Sequence, residues 1–317
     1  MVSLQFRLIN FFLRRFLSSA FTVKSAVESR QRLLKGEVKA LFRVKRVYET
    51  KLKWDNYHSL VFKQVHVQPK RVILYLHGGA FYAPMLFAHK KIIEILAVKN
   101  NALVVAPEYR LAPEHPFPAG LDDCYHAYQA LIKEGWGPEN IAVIGDSAGG
   151  NLALSLVMRL KDEGMLLPAA VSVISPVTNL NFDTAAFREN TLKDPIFNSD
   201  DFRCLLSEYI TDEQQRDNPL VSPLLGDFSR FPPLQIQVSS TEILRDDGLL
   251  VAQKAMQAGV PVQFKMWDGL PHVHQAFWFL PEAQASFNLI SEFFQLYVTQ
   301  IDKPLKTNMN EASLSMV

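Results

Sequence analysis

The chain has 317 residues, which allows one large α/β domain or two small ones and a sizeable buried core. Hydrophobic residues make up 48% and charged residues 21%, which excludes the disordered and collagen-like classes. The 33 basic and 32 acidic residues leave a net charge of +1, so we expect no nucleic-acid partner.

The two cysteines, Cys124 and Cys204, stand alone, without a CxxC pair or a neighbouring cluster of metal ligands. A secreted disulfide framework normally needs more cysteines, so we predict a reducing, cytoplasmic compartment. The sequence contains no zinc motif, P-loop or dinucleotide fingerprint, and we expect neither a metal nor a cofactor.

The first 20 residues are apolar, but arginines interrupt them before they reach the length of about 20 apolar residues that a membrane-spanning helix requires. At helical spacing one face is apolar, and the opposite stripe consists of Arg7, Asn10, Arg14 and Ser18. This pattern predicts an amphipathic helix whose phenylalanines, Phe6 among them, pack against the rest of the protein. A peripheral membrane contact is the alternative, and a homodimer is also left open.

Six short apolar runs predict buried strands, at residues 71–76, 102–106, 141–144, 170–174, 234–238 and 262–267. Helical patterns lie between several of them, at residues 90–98, 122–133, 151–160 and 249–258, the last closed by Gly259. This alternation predicts an α/β fold with a mostly parallel sheet that helices cover on both faces.

Two segments break the alternation: residues 1–50 are basic with a helical pattern, and residues 180–225 are polar, with helical character only around 201–210. An insertion of that length after a strand is typical of a lid or cap. We therefore predict a helical N-terminal cap segment (1–50), a core (51–179 and 226–300), a cap insertion (180–225) and a C-terminal tail (301–317) whose order is left open.

Residues 145–149, GDSAG, supply G-x-S-x-G directly after a predicted strand and before a predicted helix. A strained strand-to-helix turn holds a serine hydroxyl clear of its own backbone, and it needs small residues two positions to either side. Ser147 is therefore the candidate nucleophile. We interpret Asp146 as the variable position of the motif.

Residues 77–80, HGGA, end an earlier predicted strand. When a serine attacks an ester carbonyl, the oxygen becomes an anion, and each backbone N–H about 3 Å away stabilises it by ~3 kcal/mol. Small residues let such donors turn toward one point. We predict an oxyanion hole formed by Gly78, Gly79, Ala80 and Ala148.

A third segment, residues 108–119, has the sequence EYRLAPEHPFPA. Together with HGGA and GDSAGG, it resembles the hormone-sensitive-lipase-like family of α/β-hydrolases, the bacterial family IV esterases, which also include arylacetamide deacetylases and plant hormone receptors. The resemblance covers most of the chain. It implies the α/β-hydrolase fold with a helical cap and the hydrolysis of carboxylic esters through an acyl-enzyme intermediate on Ser147.

In α/β-hydrolases the acid and then the base follow the nucleophile along the chain. Residues 269–272, GLPH, resemble the family's G-x-x-H, which implies His272 as the general base. His274 is the rival, which we interpret as a surface or packing histidine. The other six histidines precede Ser147 and would break the order.

The acid is implied by residues 239–248, SSTEILRDDG, which resemble the family's D-P-L-R-D-E-G with Glu242 where Asp is common. A carboxylate here would accept the Nδ1–H of His272 and stabilise the imidazolium. Asp246 and Asp247 are the alternatives, but both fall at the start of a helix, where acidic residues complement the dipole.

The resemblance and the predicted cap imply a small-molecule substrate, a short- or medium-chain acyl ester. An amidase or deacetylase using the same three residues is an alternative. A non-catalytic ligand-binding member of the family is a second one, although such proteins lack the catalytic histidine and His272 argues against it.

Overall fold

The computed structural model describes residues 47–53 and 58–301, together with residues 3, 5, 6, 27, 28, 30, 31 and 33. Eight strands form one sheet: β1 (Val47–Lys53), β2 (His58–Gln64), β3 (Arg71–Leu76), β4 (Ala102–Glu108), β5 (Ile141–Asp146), β6 (Ala170–Ile174), β7 (Leu234–Ser239) and β8 (Val262–Trp267). Their order across the sheet is β1-β2-β4-β3-β5-β6-β7-β8.

Strands β3 to β8 run parallel to one another, whereas β2 pairs antiparallel with both β1 and β4. All six predicted strands are present, with ends shifted by two residues at most. Five of them, β3 to β7, are almost completely buried because helices cover both faces. The prediction of a mostly parallel α/β sheet is confirmed.

The sheet begins earlier than the sequence predicted, since residues 47–50 belong to β1 and not to a helical cap segment. Charged side chains alternate along this strand, with Glu49, Lys51 and Lys53 exposed. Such charges are typical of an edge strand that resists pairing with other chains. The strand depends on its register with β2, a pairing that a local pattern does not reveal.

Helices α1 (Phe87–Asn100), α2 (Ala119–Lys133), α3 (Ala148–Asp162), α4 (Ala185–Glu189), α5 (Ser199–Ser207), α6 (Arg245–Gln257) and α7 (Pro281–Tyr297) complete the fold. Helices α1 and α7 pack together over one face of the sheet, and α2, α3 and α6 cover the other. Helix α6 ends as predicted, with Gly259 just beyond it at φ 78°, a left-handed conformation that glycine adopts readily. Helix α7 was not predicted.

The segment between β6 and β7 carries α4 and α5, and the Asn198 side chain caps α5 by accepting the amide of Asp201. We call residues 180–225 the cap segment. Of the predicted N-terminal amphipathic helix, Phe6 is buried, with its ring 5.8 Å from that of Phe277. Its polar stripe, Arg7 to Ser18, and the tail after residue 301 lie outside the described residues. Among the described residues, no helix combines the length and apolarity needed to cross a bilayer.

Candidate active site

The predicted site residues lie at the carboxyl ends of neighbouring parallel strands, where ligand sites of open α/β sheets form. The loop after β3 carries Gly78, Gly79 and Ala80, Ser147 follows β5, and Glu242 and His272 follow β7 and β8. Pairing of β5 with its neighbours β3 and β6 therefore brings segments that are distant in sequence to one edge of the sheet.

Ser147 lies at the turn from β5 into α3 with φ 53° and ψ −119°, a backbone conformation that residues other than glycine rarely adopt. The flanking glycines have no room for a side chain. A Cβ on Gly145 would lie 2.1 Å from the Gly149 carbonyl oxygen, and one on Gly149 would lie 2.0 Å from the Leu76 carbonyl oxygen. The turn thus has the strained, tightly packed geometry expected of a nucleophile elbow.

The loop after β3 places two of its amides for anion binding but uses the third elsewhere. Gly79 and Ala80 have positive φ values of 118° and 49°, and neither amide is used within the loop or by the described residues around it. The N–H of Gly78 instead donates to the Asp146 carboxylate at 3.1 Å. Placing Gly78 in the oxyanion hole was therefore wrong, because its only N–H is already committed to a buried acceptor.

Three of the four predicted oxyanion donors stay available. Across the described ranges, the amides of Gly79, Ala80 and Ala148 donate to no protein acceptor. Ala148 is the first residue of α3, so its N–H belongs to the unpaired amides of a helix N-terminus. These amides can therefore stabilise an oxyanion next to Ser147.

Asp146 is buried and makes several polar contacts. It is therefore not merely the variable position of the motif, which corrects the interpretation from sequence. Its carboxylate accepts the Tyr75 hydroxyl at 2.6 Å as well as the Gly78 amide, and His89 Nε2 lies 3.4 Å away. Burial would raise the pKa of Asp146, but the interaction with His89 and the hydrogen bond from the Tyr75 hydroxyl outweigh it, so the pKa is lowered. The carboxylate thus holds the loop after β3 against the elbow.

Glu242 and His272 are in direct contact. Glu242 Oε2 lies 2.7 Å from Nδ1 of His272, and the other oxygen accepts the Ser239 amide at 2.6 Å and the Ser175 hydroxyl at 3.0 Å. Glu242 is completely buried, so these donors replace the water it gives up. With Nδ1 bonded to a carboxylate, Nε2 of His272 is left to accept a proton.

Ser175, which the sequence analysis did not single out, connects the loop that carries Glu242 with the loop that carries His272. Its hydroxyl donates to Glu242 and lies 3.3 Å from the donating amide of Val273, next to His272. The residue follows β6 with φ 47°, at the end of the strand beside β5. Only the order of strands reveals this role.

His272 is 5% exposed. Burial lowers the pKa of an imidazole, but the hydrogen bond that His272 donates to Glu242 and the charges of Glu242, Asp194 and Asp146 more than compensate, and the pKa of His272 is raised. These neighbours stabilise the imidazolium that would form when the ring takes a proton from Ser147.

The rival residues are engaged elsewhere. Asp246 accepts the Ala186 amide and pairs with Arg245. Asp247 accepts the amides of Thr178 and Asn179. Both carboxylates lie in the first turn of α6 and fix the start of the cap segment.

His274 packs in the interior between Phe6 and Trp267, with ring centroids 6.3 and 5.1 Å away. It is a packing histidine and not a surface one, as the sequence analysis had left open. Burial lowers the pKa of His274 to about 3, so the ring is neutral. In the part of the chain that the structure describes, no group of three His, Cys, Asp or Glu side chains is placed to hold a metal ion.

Comparison with known proteins identifies the family of the chain. The α/β-hydrolase fold family matches residues 73–276. An esterase of Acinetobacter venetianus is 38% identical over 225 residues, which are 70% of this chain and 74% of that protein. An acetyl-hydrolase of Streptomyces hygroscopicus is 36% identical over 231 residues, 72% and 76% of the two chains.

A solved structure, described as an esterase from the bacterial hormone-sensitive lipase family, superimposes with a TM-score of 0.86 at 29% identity. The match covers 94% of this chain and 100% of that one. The protein is therefore a carboxylic ester hydrolase, and it belongs to the hormone-sensitive-lipase-like, bacterial family IV branch of the α/β-hydrolases.

Proposed function

We propose that the protein hydrolyses short- to medium-chain acyl esters through an acyl-enzyme intermediate on Ser147. His272 is the general base, and Glu242 is the carboxylate that orients His272 and stabilises its protonated form. The observation that carries the proposal is the 2.7 Å contact between Glu242 and His272, at the sheet edge that also holds the Ser147 elbow. A buried carboxylate bonded to Nδ1 is the arrangement that makes Nε2 a base.

In the first half of the reaction, Ser147 Oγ bonds to the ester carbonyl carbon while its proton passes to His272 Nε2. The carbonyl oxygen becomes an anion, which the amides of Gly79, Ala80 and Ala148 bind. The bond to the alcohol oxygen then breaks, and His272 returns the proton to that oxygen. In the second half, water repeats the sequence on the acyl-enzyme and releases the carboxylic acid.

Two contacts support a compact acyl group. The ring of Phe81, directly after the oxyanion loop, stacks on Tyr209 of the cap segment with centroids 3.6 Å apart. Phe197, from the same segment, packs against the His272 ring. Side chains of the cap segment thus limit the space beside the elbow, and the similarity to an acetyl-hydrolase is consistent with a short acyl chain.

Covalent labelling tests the proposed nucleophile. A fluorophosphonate probe should modify the wild-type protein, and the mass increase should map to the peptide that contains Ser147. Ser147→Ala should abolish labelling, whereas Ser155→Ala, about two helical turns further along α3, should leave it intact. Labelling of a different serine would overturn the proposal.

A series of 4-nitrophenyl esters of increasing acyl length, assayed beside matched anilides, tests the substrate class. We expect kcat/KM to peak at short or medium chains and the anilides to be slower, because the amine is a poorer leaving group. Faster turnover of the anilides would favour the amidase or deacetylase alternative.

We also propose a cytoplasmic location. In support, Cys124 is buried, Cys204 is exposed, and both thiols are unpaired. Fractionation of cells, followed by salt and detergent washes of the membranes, tests this location and the alternative of a peripheral membrane contact through the N-terminal helix. Sedimentation of the purified protein tests the homodimer.

A further inference from the structure

The cap segment holds the loop that carries Glu242 by two buried polar side chains. Asn190 Nδ2 donates to the carbonyl oxygens of Glu242 at 2.9 Å and Ser240 at 3.2 Å. Asp194 Oδ2 accepts the amide of Ile243 at 3.0 Å, directly after Glu242. The backbone on both sides of the Glu242 side chain is therefore fixed from the cap segment.

The second oxygen of Asp194 organises the residues that face His272. It accepts the amides of Ile196 at 2.9 Å and Phe197 at 3.2 Å. The ring of Phe197 packs edge-on against the His272 ring, with centroids 5.2 Å apart and planes at 75°. The Asp194 carboxylate thus contacts both the loop that carries Glu242 and the stretch of chain that packs against His272.

Asp194 is 8% exposed, and within the described residues the donors to its carboxylate are backbone amides and not basic side chains. Burial raises the pKa of Asp194 to about 6, while the charge of His272 and the amides lower it and Glu242 raises it. Together with Glu242 and Asp146, Asp194 is one of the three acidic groups whose charges act on His272.

We propose that Asp194 is a positioning residue for ester hydrolysis: it fixes the Glu242 loop and Phe197, and its charge stabilises protonated His272 from the side of the cap segment. The inference rests on the proposed roles of Glu242 and His272. It makes the cap segment part of the machinery that sets the basicity of His272, in addition to shaping access.

The test compares the pH dependence of kcat/KM for 4-nitrophenyl butyrate in the wild-type protein, Asp194→Asn, Asp194→Glu and Asp200→Asn. The asparagine removes the charge and one acceptor oxygen. The glutamate keeps the charge but displaces it by a methylene. Asp200 is an exposed acid at the start of α5 in the same segment, so Asp200→Asn is the matched control for a loss of charge.

We expect Asp194→Asn to lower the plateau of kcat/KM roughly tenfold and to move its acidic limb to lower pH, because the imidazolium loses a stabilising charge. Asp194→Glu should lower the plateau but leave the limb where it is in the wild type. Asp200→Asn should change neither. Thermal unfolding shows which variants are folded, and Asp194→Glu decides the question if the asparagine variant does not fold.

An unmoved limb in folded Asp194→Asn, or full activity in Asp194→Glu, would overturn the inference. Either result is distinguishable from a failure of the proposed function, because phosphonate labelling at Ser147 and inactivity of His272→Ala test that function in the wild-type background. A purely structural role of Asp194 would lower the plateau without moving the limb.

Discussion

The amide of Gly78 donates to the carboxylate of Asp146 at 3.1 Å, so the residue before the candidate nucleophile anchors the first residue of the oxyanion loop. This contact joins the loop after β3 to the end of β5, and the two residues are 68 positions apart in the chain. The Gly78 amide thus anchors the loop. The amides of Gly79 and Ala80 donate to no protein acceptor among the described residues. Asp146 is therefore expected to affect catalysis through the position of these donors.

Removing the Asp146 carboxylate should release the loop. We predict that Asp146→Ala lowers kcat about 100-fold with a smaller change in KM, because misplaced oxyanion donors weaken binding of the transition state. Asp146→Asn is the matched control, since its amide oxygen can still accept from Gly78 and Tyr75, and it should lose less than about tenfold. Steady-state kinetics on folded variants decide the point, and a wild-type kcat in Asp146→Ala would contradict it.

Among the three candidate acids on the segment after β7, Glu242, Asp246 and Asp247, only Glu242 should carry a charge that the reaction needs. Glu242→Gln keeps the shape of the side chain but no longer fixes the tautomer or charge of His272, so kcat should fall by about 10⁴. Asp246→Asn should stay within about tenfold of the wild type, because Asp246 serves the amide of Ala186 and Arg245. Equal losses in the two variants would mean that the acid is misassigned.

The pH profile of the wild-type enzyme should carry the signature of His272. The ring must be neutral to accept a proton, and its raised pKa keeps it protonated to higher pH than a free imidazole. We therefore predict that kcat/KM falls as the pH is lowered through a midpoint above 6.5, the ordinary value for histidine. A midpoint below 6.5 would contradict the balance of charges around the ring.

His274 should make folding sensitive to acid. Its pKa is about 3 when buried and 6.5 when the chain unfolds, so below pH 6.5 the unfolded state takes up a proton that the folded state refuses. Between pH 6.5 and 5 this residue should cost about 2 kcal/mol of unfolding free energy.

His274→Leu should remove that part of the pH dependence, as measured by urea unfolding at the two pH values. The exposed His126 on α2 provides the control, because His126→Leu should leave the pH dependence as it is in the wild type. The same change of unfolding free energy between the two pH values in all three proteins would rule out a role for burial of His274.

The sequence predicts those parts of the fold and site that depend on local patterns. Apolar runs such as residues 71–76 locate the buried strands, and the glycines at 145 and 149 indicate the elbow because a Cβ there would collide with backbone atoms. Resemblance to known esterases then directs attention to Glu242 and His272, which the structure brings into contact.

Other features arise only from contacts between distant segments. Asp146 looks like a variable position until β3 is seen to lie beside β5, which brings Gly78 to its carboxylate. Asp194 contacts the amide of Ile243 across 49 residues of chain, and no local pattern marks either residue. Strand β1 likewise gains its structure from pairing with β2.

The most direct measurement of the proposed chemistry is the hydrolysis of 4-nitrophenyl butyrate by Ser147→Ala, with its fold verified by circular dichroism. We predict that kcat/KM falls by at least about 10⁴, leaving only the rate that binding and the oxyanion donors sustain without a nucleophile. Turnover equal to that of the wild-type enzyme would contradict the assignment of Ser147 as the nucleophile.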